Sequence, residues 1–414
     1  MTKPVSLECI SCHTEYPLEH FDRRCDVCAV EGIESNLTVR YNWNATPKRE
    51  VLPCLPSSLW RYEDCLPLNK ENAVSLGEGC TPIRLLNKLG YGSMWIKDES
   101  CNPTWSFKDR LASVAVSWAK YIGAPAIVTS STGNAGAAAA AYAARAGLPC
   151  IVLTSPSTAG AMLSQMLKYG AMVLSVPSME DRWAVLKEGV EAFQWFPTSP
   201  FFGPAVGSNP IGLEGYKTIS YEIAEAFDWD PPDWCVLPVC YGDALFGMWK
   251  GFEEMRLWGW IEKCPRFIAA EVSGSLSAAL ERGLKMPPFI SRDNKSIANS
   301  IDVNRGTYQA LVALSRSNGA ALTIKDSEIA VTRDKLAKNE GIFVELSSAA
   351  AFAAIDSLIE KGKIMPGEKI IGLLTASGLK DVGSYSLPER EIPPVDPSLG
   401  SVLDELKESY GFHF

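Results

Sequence analysis

Along the middle of the chain, short apolar runs alternate with small polar turns and longer amphipathic stretches, at a spacing of about 25 residues. In "APAIVTSSTGNAGAAAAAYAARAGL" an apolar strand, Ala126 to Thr129, runs into a polar turn and then a helix. "PCIVLTSPSTAGAMLSQMLKYG" repeats this plan, and "AMVLSVPSMEDRWAVLKEGVEAF" repeats it again. Upstream, "SMWIKDES" reads as a strand. Downstream, "WCVLPVCYGDALFGMWKGFEEM", "RFIAAEVSG" and "KIIGLLTASGLKD" restart the pattern. Repeated strand–turn–helix units predict parallel βαβ pairing and an α/β fold. In such folds the loops after the strands line a ligand crevice. Residues 35–90 are Pro-rich and irregular and end in "SLGEGCTPIRLLNKLG", a Gly-rich turn followed by a strand. The tail from Pro388 is Pro-rich and closes with a short amphipathic helix near Ser401 to Glu408.

Composition narrows the picture. Of 414 residues, 47% are hydrophobic and 21% charged, which suits a large packed core rather than a disordered chain. A net charge of −9 argues against nucleic acid as a partner, because phosphate backbones need a basic face. The start, "MTKPVSLECISC", has no apolar signal region, and the most apolar stretch, Ala135 to Gly147, is interrupted by Arg145. The expectation is a cytoplasmic protein with no membrane partner. Twelve cysteines in a chain this large, mostly scattered, predict reduced thiols.

Four of those cysteines are not scattered. "CISC" (Cys9, Cys12) and "CDVC" (Cys25, Cys28) are two Cys-x-x-Cys knuckles. Two such turns facing each other complete a tetrahedral four-sulfur site, structural because no position is left for substrate. Zinc is the expected metal. Four free buried cysteines, a site that has lost its metal, or iron are the alternatives. The expected unit is a small ribbon over residues 1–35.

The loops after the strands carry the candidate chemistry. "CNPTWSFKDRLAS" sets Lys108 at the mouth of a helix, where it is either a solvated residue paired with Asp109 or an amine awaiting a carbonyl. "SSTGNAG" packs Ser131, Thr132, Gly133 and Asn134 at a helix start, which suits an anion or a plain helix cap. "VCYGDALFG" places Cys240, Tyr241, Gly242, Asp243 and Ala244 between a strand and a helix, where amides can receive a phosphate. Asp243 is awkward beside a dianion. Thr375 lies just past the last strand, its hydroxyl able to reach the crevice. One cofactor explains all four loops: pyridoxal phosphate, with Lys108 as the Schiff-base lysine. The aromatic stretch Phe193 to Gly203 reads as core at a domain junction. Glu345, Ser347 and Ser348 suit either the cofactor's surroundings or a helix cap.

"NPTWSFKDR", "SSTGNAG", "NPIGLEGYKT", "SIANSI", "EGIFVELSSAAA" and "LLTASGLKD" resemble the motifs of threonine synthase and its relatives, which include cysteate synthase. These are pyridoxal-phosphate enzymes of fold type II, the tryptophan-synthase-β class. The motifs follow in family order from Leu76 to Asp381. The resemblance implies two parallel-sheet α/β domains with an N-terminal zinc-ribbon-like knuckle. Residues 36–114 and 212–387 form the larger cofactor-binding domain, 115–211 the smaller one, and 388–414 a tail. It also implies roles: Asn134 at the cofactor's ring hydroxyl, Ser131, Thr132 and Gly133 on the substrate carboxylate, Cys240 to Ala244 on the phosphate, and Thr375 at the ring nitrogen. A hydroxyl there leaves the ring uncharged, a poorer electron sink that suits elimination over transamination. The implied activity is elimination or replacement of a β or γ substituent of an amino acid by a lyase acting as a homodimer. A β-replacement synthase of the cysteate or cysteine type, or a dehydratase or ammonia-lyase, is the alternative.

Four positions depart from the family pattern. Trp105 stands where threonine synthases usually have glycine, Gly212 where they often have arginine, and Ala376 where they usually have glycine. Tyr216 also takes a glutamine position. The expectation is a different leaving group or a shortened side-chain site, with the pocket narrowed or reshaped by the indole of Trp105.

Overall fold

The computed structural model describes residues 3–43, 46–52, 58–89, 93–158, 160–382 and 394–413. The Pro-rich part of the tail, up to residue 393, lies outside them.

The N-terminal segment forms a three-stranded antiparallel sheet of β1 (Lys3–Cys9), β2 (Glu15–Tyr16) and β3 (Leu37–Asn42), in the order β2-β1-β3, with a short helix α1 (Asp26–Val30) between β2 and β3. β3 lies beyond residue 35, and it is the strand that carries this small unit onto the body. There Asn36 Nδ2 donates to Ser208 O and to Gln309 Oε1, both at 3.1 Å.

The body then lays β4 (Ile83–Leu85) antiparallel against β5 (Met94–Asp98), followed by α2 (Lys108–Tyr121). Three strand–helix pairs follow: β6 (Ile127–Ser130) with α3 (Asn134–Ala146), β7 (Cys150–Thr154) with α4 (Gly160–Lys168), and β8 (Met172–Ser175) with α5 (Met179–Phe193). With β9 (Phe196–Pro197) they make a four-stranded, all-parallel sheet in the order β8-β7-β6-β9. The repeating plan in the sequence is therefore one sheet. Its Ala-rich helix α3 is buried along Ala137–Ala143, where small side chains let it approach α2 and the strands closely. Among the described residues no helix is long and apolar enough to cross a membrane.

Beyond α6 (Pro210–Ala226) come β10 (Trp234–Pro238), α7 (Asp243–Leu257), β11 (Arg266–Glu271), α8 (Ser275–Arg282), α9 (Tyr308–Arg316), β12 (Ala320–Thr323), α10 (Asp326–Lys335), α11 (Leu346–Glu360) and β13 (Ile370–Leu374). These complete a six-stranded sheet, β12-β11-β10-β13-β5-β4, parallel except at β4. The expected α/β fold with two parallel sheets is thus present. The helix α12 (Leu399–Tyr410) belongs to a separate compact unit.

Helix α2 is held at its start by charge as well as packing. The fully buried Arg110 donates to Glu99 Oε2 at 2.7 Å and to Glu222 Oε1 at 2.6 Å, and Lys97 Nζ reaches Glu222 Oε2 at 2.6 Å. Each buried charge therefore has a partner, which the interior requires. Helix α6 crosses α2 on two glycines. A Cβ at Gly215 would lie 2.1 Å from Arg110 O, and one at Gly212 would lie 3.0 Å from both Leu111 and Ala115. Gly212 is a helix-packing position with no room for a long side chain.

Candidate functional site

The loops after the strands of both sheets open onto one cleft of about 870 Å³. Lys108, Ser131, Thr132, Gly133, Asn134, Cys240, Tyr241, Gly242, Asp243, Ala244 and Thr375 all line it. Every catalytic, cofactor and substrate candidate read from the loops is therefore on one surface.

Lys108 is the first residue of α2, and its position is fixed by the loop before it. Phe107 N donates to Thr375 O at 2.9 Å, and Ser106 bridges to Ala376, so the lysine loop is laced to the loop after β13. The amine sits 4.5 Å from the Phe107 ring centroid and 5.9 Å from that of Tyr216, and the two rings stack. Asp109 is not its partner. That carboxylate accepts from Thr104 N at 2.7 Å, and burial pushes it up to about 7. Burial likewise pushes the Cys240 thiol up to about 12, against the pull of the Lys108 charge.

Ser131 caps the start of α3, accepting from Gly133 N at 3.2 Å and Gly136 N at 2.9 Å, while Thr132 stays exposed in the cleft. Asn134, Thr375 and Glu345 form a buried triangle. Asn134 Nδ2 donates to Glu345 Oε2 at 3.0 Å, and Thr375 Oγ1 donates to Glu345 Oε1 at 2.9 Å. Ser348 adds a 2.7 Å contact to Thr375 Oγ1. Burial, reinforced by the Asp381 charge, raises the Glu345 carboxyl to about 7. Glu345 precedes α11 but makes no cap bond with its side chain, so its carboxylate serves the cleft rather than the helix.

The α7 start is built to take an anion. Gly242 has φ 72, and a Cβ there would lie 2.4 Å from Ala310 Cβ, so only glycine fits. Among the described residues no side chain caps the amides of the first turn. The Asp243 carboxylate does not oppose an anion at these amides, because it accepts from Ser208 N at 3.0 Å, Ser208 Oγ at 2.6 Å and Gln309 Nε2 at 2.7 Å.

These residues fit pyridoxal phosphate by two observations. The buried Asn134 Oδ1, on the cleft wall, has no partner among the described residues, and the glycine-walled helix start leaves its amides open. Trp105 departs from expectation. It is 45% exposed and is not part of the cleft wall, so its indole does not reshape the pocket. Its φ of 66 is the conformation that favours glycine. Arg182, Lys295, Asp302 and the hydroxyls of Ser155 and Thr158 also line the cleft, and the sequence alone did not mark them. Thr198 to Pro200, in the middle of the aromatic stretch read as core, line it too.

At the N-terminus, the Sγ atoms of Cys9, Cys12, Cys25 and Cys28 all lie within 4.8 Å of one another. Ser11 N and Cys12 N point at Cys9 Sγ (3.3 and 3.4 Å), and Cys28 N at Cys25 Sγ (3.4 Å). Such a cluster is compatible with a zinc knuckle.

Residues 74–376 match the family model described as "Pyridoxal-phosphate dependent enzyme". Threonine synthase of Methanocaldococcus jannaschii is 32% identical over 97% of this chain and 99% of its own length. Threonine synthase of Methanosarcina acetivorans is 33% identical over 97% of this chain and 98% of its own. Among solved structures, O-ureido-L-serine synthase matches with a TM-score of 0.60 at 23% identity, over 75% of this chain and 94% of that one. Maize serine racemase matches with 0.61 at 18%, over 80% and 92%. The two structures share the fold.

Proposed function

Because the chain belongs to the pyridoxal-phosphate-dependent enzyme family, we propose that Lys108 holds the cofactor as a Schiff base in the cleft. The protein is a threonine-synthase-like lyase that carries out elimination or replacement on an amino acid. The observation that carries the site assignment is the convergence of Lys108, Asn134, Thr375 and the open start of α7 on one cavity.

When bound, pyridoxal phosphate supplies an electron sink for the bond electrons released at the substrate's Cα. The chain's own groups do the rest. The first-turn amides of α7, with Gly242, would hold the phosphate, and Asp243 keeps that turn in place through Ser208 and Gln309. Asn134 would face the ring hydroxyl and Thr375 the ring nitrogen. Thr132 and the Gly133 amide, on the turn braced by Ser131, would hold the substrate carboxylate. The Lys108 amine, once exchanged for the substrate's, would take the proton from Cα and return protons during the later steps. The rings of Phe107 and Tyr216 lie beside that amine.

We also propose that Cys9, Cys12, Cys25 and Cys28 bind one structural zinc ion, and that the enzyme works as a cytoplasmic homodimer. Sedimentation of the purified protein tests the dimer.

The reaction is tested by titrating the cofactor-loaded enzyme with phosphohomoserine, phosphoserine, O-acetylserine, serine and threonine, following absorbance, keto acid and phosphate. Turnover of at least one, abolished by Lys108→Ala, is expected. Threonine from phosphohomoserine would make it a threonine synthase, and turnover of only a serine derivative would make it a β-replacement or β-elimination enzyme. No spectral response to any of them would overturn the reading.

A further inference from the structure

The charged side chains on the cleft wall are unequally occupied. Of its carboxylates, Asp243 is taken by Ser208 and Gln309, Glu345 by Asn134 and Thr375, and Asp302 by Arg292. Its cations, Lys108, Arg182 and Lys295, have no carboxylate in ion-pair contact among the described residues. Lys108 is assigned to the cofactor and Lys295 is exposed at the surface.

Arg182 is different, because it is only 8% exposed. It projects from the first turn of α5. Its Nε donates to Ser130 Oγ at 3.3 Å, and its Nη1 to Val176 O at 2.9 Å and Pro177 O at 3.2 Å. A purely structural role, tying down the turn between β8 and α5, explains Nε and Nη1. It leaves Nη2 without a hydrogen bond among the described residues. A buried guanidinium with no counter-charge is costly, and an anion entering the cleft removes that cost. Burial lowers the hold of this group on its proton, with the exposed Glu180 near enough to oppose the effect but not to touch. Ser155, Ser157 and Thr158 line the same cleft, so hydroxyl donors accompany the guanidinium. Ser130, which Arg182 touches, immediately precedes the Ser131–Gly133 turn assigned to the substrate carboxylate.

We propose that Arg182 binds a second anionic group, a phosphate or carboxylate at the far end of the substrate's side chain. This rests on the cofactor-site reading above. Arg182 is then the residue that restricts the enzyme to amino acids ending in an acid. A guanidinium presents parallel N–H donors that match either anion.

The test is binding of non-reacting ligand pairs to the cofactor-loaded enzyme, followed by the visible band of the lysine Schiff base. L-glutamate is compared with L-glutamine, and the phosphonate counterpart of L-glutamate with L-methionine. The wild type is expected to prefer the anionic member of a pair by on the order of 10-fold or more in Kd. Arg182→Met should abolish that preference while leaving the neutral ligands within about 2-fold, and Arg182→Lys should keep part of it. Whichever pair shows the larger loss identifies carboxylate or phosphate as the anion. A wild type without anion preference, or an Arg182→Met enzyme that weakens both members of each pair equally, overturns the proposal. If Arg182→Met does not fold, Arg182→Gln is measured in its place, with the same outcomes expected. Absence of the Schiff-base band, or a band that no amino acid perturbs, would instead overturn the cofactor-site reading.

Discussion

Asn134 and Glu345 lie 211 residues apart in the chain and meet in a 3.0 Å hydrogen bond at the floor of the cleft. Thr375 closes the group from the end of a strand in the other sheet, through the second oxygen of the same carboxylate. Residues from both parallel sheets are thus tied to one buried acid, which fixes where the asparagine and threonine stand when a ring enters between them.

That acid makes folding depend on pH. The Glu345 carboxyl titrates near 7 in the folded protein against an ordinary value of 4.5, so the fold holds its proton more tightly than the unfolded chain does. Its contribution is fully present below about pH 4.5 and is lost as pH rises through about 7. Glu345→Gln removes this titration. Relative to the variant, the cofactor-free wild type should lose up to about 3 kcal/mol between about pH 5 and about pH 8. Urea unfolding of both proteins at the two pH values measures it. A difference independent of pH would contradict the assignment.

Trp105 tests whether the departure from the family glycine matters for chemistry. Its backbone, not its indole, is used: Trp105 N donates to Asn102 O at 2.8 Å, and Trp105 O accepts from Ser377 N at 3.2 Å. Trp105→Gly relieves a left-handed conformation worth about 1–2 kcal/mol, offset by about 0.4–1 kcal/mol from the freer unfolded chain. The variant should be as stable as the wild type or up to about 1 kcal/mol more stable, with cofactor affinity unchanged. Thermal unfolding and cofactor titration check both. A several-fold loss of cofactor affinity would place the indole in the site after all.

The cysteine cluster connects to the cleft through a short path. Cys9 Sγ donates to Ser35 Oγ at 3.2 Å, the next residue Asn36 bonds Gln309, and Gln309 bonds both Asp243 and Tyr241 O at the start of α7. Purified protein should carry about one zinc per chain. Cys25→Ser should lose the metal, lower the melting temperature and weaken cofactor binding. Elemental analysis, thermal unfolding and cofactor titration report the three effects. Metal-free protein whose stability is unchanged by Cys25→Ser would remove the metal assignment.

Much of this was legible in the sequence because it is local. A glycine that must adopt positive φ before a helix, as at Gly242, and a polar turn between an apolar strand and an Ala-rich helix, as at Ser131–Asn134, are written in adjacent residues. So are the two cysteine knuckles. What could not be read depends on distant partners. Asp243 looked hostile to a phosphate because its neighbours in sequence gave no hint that Ser208 and Gln309 occupy it. Glu345 suited a helix cap equally well until Asn134 and Thr375 were brought beside it. Gly212 reads as a lost arginine, whereas in the fold it is the point where α6 rests on α2. Arg182 carries no sequence signal: a lone arginine in the first turn of an amphipathic helix looks like any surface residue.

The cofactor site rests on one amine among 22 lysines. Reducing the cofactor-loaded protein with borohydride and mapping its peptides by mass tests the lysine directly, without any substrate. The account predicts a cofactor adduct on the peptide containing Lys108, and neither adduct nor visible Schiff-base band in a folded Lys108→Ala variant. An adduct on another lysine, or a band that persists in Lys108→Ala, would contradict it.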